Sequence, residues 1–140
     1  QLAISKKGMD EVCTLINQHN IQTTLFCTAT YALHYPEQIK QEAQRHELAS
    51  HGYFHSSFKN EDLSTSRKVL QDLSGQAISG FRMARMAPVD SAELERAGYL
   101  YSSSLNPTFL PGRYNNLGKP IQPFLKVRCY KSLHLSPQCC

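Results

Sequence analysis

Between residues 8 and 102 the chain alternates segments of helical and extended character, a few residues apart, and this order constrains the fold more than any other property. Residues 8–20 set Met9, Val12, Cys13 and Ile16 at helical spacing, with Asp10 and Glu11 early, where the helix dipole favours acids. Residues 21–28 (IQTTLFCT) are short, β-branched and aromatic, the composition of a buried strand. Pro36 opens a helix, PEQIKQEAQRH, whose packed side carries Ile39 and Ala43 while charges cover the rest. Residues 47–51 form a brief strand, 60–73 a helix through Leu63, Val69, Leu70 and Leu73, and 77–82 another strand. Residues 88–97 are a short helix closed by Gly98, and residues 99–102 return to strand.

The order α-β-α-β-α-β-α-β with short connections predicts a parallel sheet with crossover helices. Such folds gather their chemistry at the carboxyl ends of the strands. The loops after residues 27, 51, 82 and 102 are therefore expected to open on one edge.

At 140 residues there is room for one domain or less, and 41% hydrophobic against 19% charged residues can close a core. No run of eighteen apolar residues is present, and QLAISKKGMDEV lacks the apolar stretch of a signal peptide. The chain begins at Gln1, so any targeting segment would lie upstream and location is left open. The net charge of +4 divides unevenly: residues 1–95 hold nine Lys/Arg against eleven Asp/Glu, and residues 96–140 hold six Lys/Arg and no acid. No basic stripe with interleaved aromatics accompanies that excess, which argues against nucleic acid as a partner. Five cysteines without CxxC spacing fit neither a zinc ribbon nor a disulfide framework. Cys13 and Cys27 read as buried thiols, and the terminal Cys139 and Cys140 as exposed ones.

The loop after the second strand reads Ser50-His51-Gly52-Tyr53-Phe54-His55. Imidazoles four apart lie on one side of a helical or an extended backbone and can supply half of a tetrahedral zinc shell. The bland alternative is a chance pair of solvated histidines, since the chain has six. Position at a strand end favours a site.

These residues carry a family resemblance. Thr24-Leu25-Phe26, then His46-Glu47-Leu48-Ala49-Ser50-His51 and His55, match in order and spacing the strand and histidine motif of the polysaccharide deacetylases, the NodB-like carbohydrate esterase family 4. Gly80-Phe81-Arg82 resembles that family's Gly-Phe-Arg-x-Pro motif, and GYLYSSSLNP its following Gly-Tyr-x-Tyr-Asp-Ser-Ser strand. The resemblance covers roughly residues 8–118. It implies a partial NodB-like domain over residues 1–118: a distorted (β/α) barrel with a parallel sheet, hydrolysing an N- or O-acetyl group from a polysaccharide. It implies a divalent metal, zinc by preference, held by His51 and His55, polarising the acetyl carbonyl and acidifying the attacking water. It implies that Arg82 orients the catalytic carboxylate through a charge-assisted pair, and that the Arg85 backbone N–H is an oxyanion donor.

Three departures accompany it. The family's first motif, an acidic dipeptide supplying the base and a third ligand, has no counterpart, since Asp10-Glu11 sits inside a helix; it is expected upstream of Gln1. Ala84 replaces the proline of the third motif. The general-acid histidine has only His134 as a candidate, in surroundings that fit poorly. Residues 119–140 form an off-pattern tail without an acid. A single-base frameshift would explain it, because permitted codons for residues 124–140 read FEGEVLQIPASVSPML in an adjacent frame.

The chain is therefore expected to be a fragment of a metal-dependent hydrolase with an acetylated polysaccharide or oligosaccharide as partner. The rivals are a non-catalytic carbohydrate-binding relative and a plain α/β fragment with solvated histidines. Arg113 and Tyr114, in NPTFLPGRYNN, are candidates to line the substrate groove, against a reading of that segment as a surface turn. Which sugar and what oligomeric state are not read from the residues.

Overall fold

The computed structural model describes residues 2–112, 114–120 and 122–124. Its first helix, α1 (Leu2–Gln18), runs straight through Gly8, where the sequence suggested a start. Asp10 and Glu11 consequently lie beyond the first turn. Asp10 instead takes the Lys6 ammonium at 2.6 Å, one turn back. Then follow β1 (Thr24–Cys27), α2 (Ala29–His34), α3 (Pro36–Ala43), β2 (Glu47–Ser50), α4 (Glu61–Ser74), β3 (Gly80–Phe81), a 3₁₀ turn (Ala84–Met86), α5 (Ser91–Arg96) and β4 (Tyr101–Ser102). The helix α2 was not anticipated; Thr28 caps it by accepting from the Tyr31 N–H. The last helix starts at Ser91, three residues after Pro88, because Asp90 caps it through Ala92 N–H at 2.9 Å.

The four strands form one parallel sheet in the order β1-β2-β3-β4. All carboxyl ends thus emerge on one edge, as the alternation predicts. Side chains alternate between the two faces of a strand. Leu25, Cys27, Leu48, Ser50 and Phe81 pack beneath the helices, α4 lying against β2 and against α2 and α3. Leu63, Leu70, Ile39 and Ile78 complete a core from which water is excluded. The opposite face carries Thr24 and Phe26 of β1, Glu47 and Ala49 of β2, Gly80 of β3 and Tyr101 of β4, with Arg82 and Ser103 continuing the same alternation beyond the strand ends.

On that face the small residues let long ones reach across. Tyr101 spans Gly80 and donates to Glu47 Oε1 at 2.8 Å, while Thr24 donates to Glu47 Oε2 at 2.6 Å. Arg82 reaches past β2, where Ala49 is the register partner of Phe26, to lie over the Phe26 ring. Glu42, expected on a charged outer face, is instead buried in α3, where Asn17 donates to it at 3.3 Å and His46 stands 3.6 Å away. Cys13 and Cys27 are buried thiols, as their patterns imply.

Beyond the sheet, β5 (Phe109–Leu110) and β6 (Tyr114–Asn115) form an antiparallel pair of their own. Gly112, at φ 74°, supplies the left-handed backbone of its turn. Among the described residues, no helix is long and apolar enough to cross a membrane.

Candidate metal and hydrolytic site

Backbone hydrogen bonds carry the sheet register one residue past the strands and so fix where the site begins. His51 N–H donates to the Cys27 carbonyl at 2.8 Å, Arg82 N–H to Ser50 at 2.9 Å, and Ser103 N–H to Phe81 at 2.8 Å. His51, Arg82 and Ser103 therefore stand side by side on the carboxyl edge. The turn that follows His51 needs the left-handed backbone of Gly52, at φ 85°. It returns the chain so that the His55 ring lies 5.3 Å from that of His51, centroid to centroid, tilted by 47°.

His51 Nδ1 is 2.7 Å from the Arg82 carbonyl oxygen. A carbonyl only accepts, so Nδ1 carries the proton and the lone pair of the neutral ring belongs to Nε2. This is the arrangement by which a protein presents a histidine as a ligand with its other nitrogen tied down. Burial holds the imidazole below its ordinary pKa, with the His55 and Arg82 charges acting in the same direction against the raising effect of the carbonyl. The ring is thus neutral near pH 7, the form that binds a cation. His55 is exposed.

Arg82 is held on two sides. Its guanidinium carbon sits 4.2 Å from the Phe26 ring centroid, and Nη2 donates to Ser103 Oγ at 2.6 Å. Met83 N–H donates to Ser104 Oγ at 2.8 Å, which secures the backbone beyond it. Among the described residues, Arg82 Nε is buried with no hydrogen-bond partner. A buried, unpaired guanidinium donor is costly, and a carboxylate is the group whose geometry matches it. After Arg82 the chain enters a strained turn: Arg85 at φ 58° and Met86 at φ 54° are both left-handed without being glycine. Ala84 is buried beneath this turn, and the Arg85 side chain is exposed.

The structure brings together His51, His55 and Arg82, and leaves Arg85 three residues along the same loop. Tyr114 lies on β6, paired with Leu110. Its side chain, Arg113, His134, Cys139 and Cys140 lie outside the described residues. Sequence reasoning missed Phe26 and Ser103 as supports of Arg82. The alternation of faces could have found them, since all three fall on the face away from the helices. Among the described residues, no three His, Cys, Asp or Glu side chains are grouped to hold a metal. The histidine pair thus fits two positions of a metal shell and leaves an anionic position to be supplied.

A comparison with curated protein sequences found no match. Among solved structures, a candidate polysaccharide deacetylase from Mycobacterium smegmatis is 28% identical, with a TM-score of 0.60 over 70% of this chain and 38% of that one. A family 4 acetyl xylan esterase from Clostridium thermocellum, in complex with a cobalt ion, is 16% identical, with a TM-score of 0.54 over 67% of this chain and 49% of that one. A pseudoenzyme of the CE4 family from Bacillus anthracis is 13% identical, with a TM-score of 0.51 over 61% of this chain and 33% of that one. The chain thus spans between a third and a half of the length of these structures, and the last two likenesses speak for the fold alone. The fold is part of a NodB-type (β/α) barrel, its parallel sheet of four strands. The family model for polysaccharide deacetylase matches residues 4–101, more than half of the chain, and the chain belongs to that family.

Proposed function

We propose that this chain carries the histidine-metal and arginine elements of a metal-dependent hydrolase that removes acetyl groups from an N- or O-acetylated polysaccharide. The observation that carries the reading is the bond from His51 Nδ1 to the Arg82 carbonyl at 2.7 Å, which aims a neutral Nε2 at the carboxyl edge beside His55. His51 and His55 would hold a divalent cation, with zinc suited to imidazole donors and the cobalt of the acetyl xylan esterase as precedent within the family. Such a cation would supply Lewis acidity toward an acetyl carbonyl and a more acidic water.

The chain's own residues do the rest. Arg82, fixed by Phe26 and Ser103, would pair its free Nε with the catalytic carboxylate and hold that group ionised and oriented. The Arg85 backbone N–H, in the strained turn, would donate to the oxyanion as the acetyl carbonyl becomes tetrahedral. Arg113 and Tyr114 would line the sugar groove.

The test is acetate release from N-acetylglucosamine oligomers and from O-acetylated xylan by the complete gene product, before and after chelation. Chelation and His55→Ala should each abolish it. A second reading, carbohydrate binding without turnover, is favoured by Ala84 at the position of the motif's proline and has a precedent in the fold of the Bacillus anthracis pseudoenzyme. Saturable oligosaccharide binding with no acetate released, at full metal occupancy, selects it.

A further inference from the structure

Beneath the histidine loop lies a group of hydroxyls that the core does not need for packing. Ser50 and Ser66 are fully buried and Tyr99 nearly so, in the layer between the sheet and α4 where apolar side chains would fill the space equally well. Buried hydroxyls cost free energy unless each finds a partner. Here each does. Gly52 N–H donates to Ser50 Oγ at 3.1 Å, Ser50 and Ser66 hydroxyls are 3.1 Å apart, Ser66 and Tyr99 hydroxyls 3.3 Å apart, and Tyr99 donates to the Leu63 carbonyl at 2.9 Å. Ser66 Oγ also lies 3.1 Å from the Leu63 carbonyl, so Tyr99 and Ser66 converge on one acceptor. The assignment that joins every hydroxyl in one chain runs from Gly52 to Ser50, Ser50 to Ser66, Ser66 to Tyr99 and Tyr99 to Leu63. Such chains polarise each member and favour a single geometry.

The chain ends on the one amide whose placement sets the turn between the two histidines. The neighbouring carbonyls are clamped from the other side: Gly52 C=O accepts from Ala29 N–H at 3.0 Å, and Tyr53 C=O from Thr30 N–H at 3.2 Å and Thr30 Oγ1 at 2.6 Å. With its amide held from below and its carbonyls held by α2, the segment between His51 and His55 has little freedom.

We propose that Ser50, Ser66 and Tyr99 are positioning residues for the histidine pair, a hydroxyl relay from α4 and the entry to β4 that fixes the Gly52 turn and with it the separation of His51 and His55. The proposal rests on the reading of those histidines as metal ligands. Groups that orient ligands from behind typically carry roughly 10–100-fold in metal affinity.

The experiment is zinc calorimetry on the 140-residue chain, with Gly52 amide hydrogen exchange measured on the same metal-free samples. Ser50→Ala should weaken zinc binding about tenfold and speed Gly52 exchange at least as much. Tyr99→Phe, which keeps the packing volume and removes only the hydroxyl, should do the same to a smaller degree, about threefold, and remains informative if Ser50→Ala folds poorly. Ser50→Thr, which keeps the hydroxyl, should restore parent affinity. The double variant Ser50→Ala/Tyr99→Phe should be no worse than Ser50→Ala, because the relay is already cut. Parent-like zinc affinity in Ser50→Ala and Tyr99→Phe, while His51→Ala and His55→Ala lose binding, overturns the relay and leaves the ligand reading standing. Parent-like binding in the histidine variants overturns the ligand reading itself, and unchanged Gly52 exchange in Ser50→Ala overturns the relay whatever the metal does.

Discussion

Replacing Gly80 with alanine should destabilise the fold by way of one residue on the next strand, Tyr101. Gly80 is not there for its backbone freedom but for its empty space: a Cβ would stand 2.3 Å from both Cζ and Oη of Tyr101 and 2.8 Å from Cε2. The ring is the flexible partner, so it moves, and its bond to Glu47 at 2.8 Å is lost. A hydrogen bond to a charged acceptor contributes roughly 1.5–3 kcal/mol when buried, but Tyr101 is 39% exposed and Glu47 is exposed. Solvent reduces the figure to about 1 kcal/mol, and the displaced ring loses about 1 kcal/mol more of packing. Alanine returns about 0.5 kcal/mol by stiffening the unfolded chain. The net cost is about 1.5 kcal/mol by urea denaturation. In a Tyr101→Ala background the same substitution should be neutral or stabilising by about 0.5 kcal/mol, since only the entropic effect remains. An equal cost in both backgrounds would show that the obstacle is something other than the tyrosine ring. Because β3 leads directly into Arg82, the outcome also reports on how that side chain is held.

Arg82→Ala should leave zinc affinity within about threefold of the parent, because the backbone carbonyl that orients His51 is retained; in a form of the protein with turnover it should cost about 10²–10³ in kcat. Arg82→Lys should recover only part, since an ammonium cannot replace a planar fork; parent-like kcat in Arg82→Ala would make the residue structural. The 140-residue chain by itself should release no acetate, as among the described residues Arg82 Nε has no partner and no third ligand is grouped with the histidines, so metal-dependent acetate detected by enzymatic assay would contradict it. Burial pushes the Cys13 thiol up to about 11 and the Cys27 thiol up to about 12. The unfolded thiols ionise near pH 9 and the folded ones do not, so stability should fall as pH rises above about 9, and Cys27→Ala should flatten that fall in urea melts taken between pH 8 and 11. In a chain with Cys129, Cys139 and Cys140 replaced by serine, a thiol reagent at pH 8 should label nothing until denaturant is added; rapid native labelling would place Cys13 or Cys27 at the surface.

What was legible in the sequence was whatever a period or a spacing encodes. Helix and strand alternation gave the parallel sheet, and with it the edge on which His51, His55 and Arg82 meet. Short elements escaped because they lack a full period: α2 spans six residues and depends on the Thr28 cap, and the β5–β6 pair joins two residues on each side. Gly8 misled the start of α1, since tertiary packing of Cys13, Met9 and Leu2 against the core outweighs a local propensity cost of about 1 kcal/mol. Glu42 misled for a related reason, its burial being fixed by partners 25 residues back in Asn17 and four ahead in His46. The supports of the site were the least visible. Phe26 beneath Arg82, Ser103 beside it and Ser66 beneath Ser50 are separated by 56, 21 and 16 positions in sequence; strand register makes the first two neighbours of Arg82, and the packing of α4 on β2 brings Ser66 to Ser50.

The central claim is that His51 and His55 together hold a divalent cation, and isothermal calorimetry of zinc into the purified chain at pH 7.5 tests it most directly. The account predicts a single weak site, weaker than a complete zinc shell because no anionic ligand among the described residues joins the pair, with His51→Ala and His55→Ala each removing most of the heat. A His51→Ala/His55→Ala chain that binds zinc as the parent does, or a parent that binds none, contradicts it.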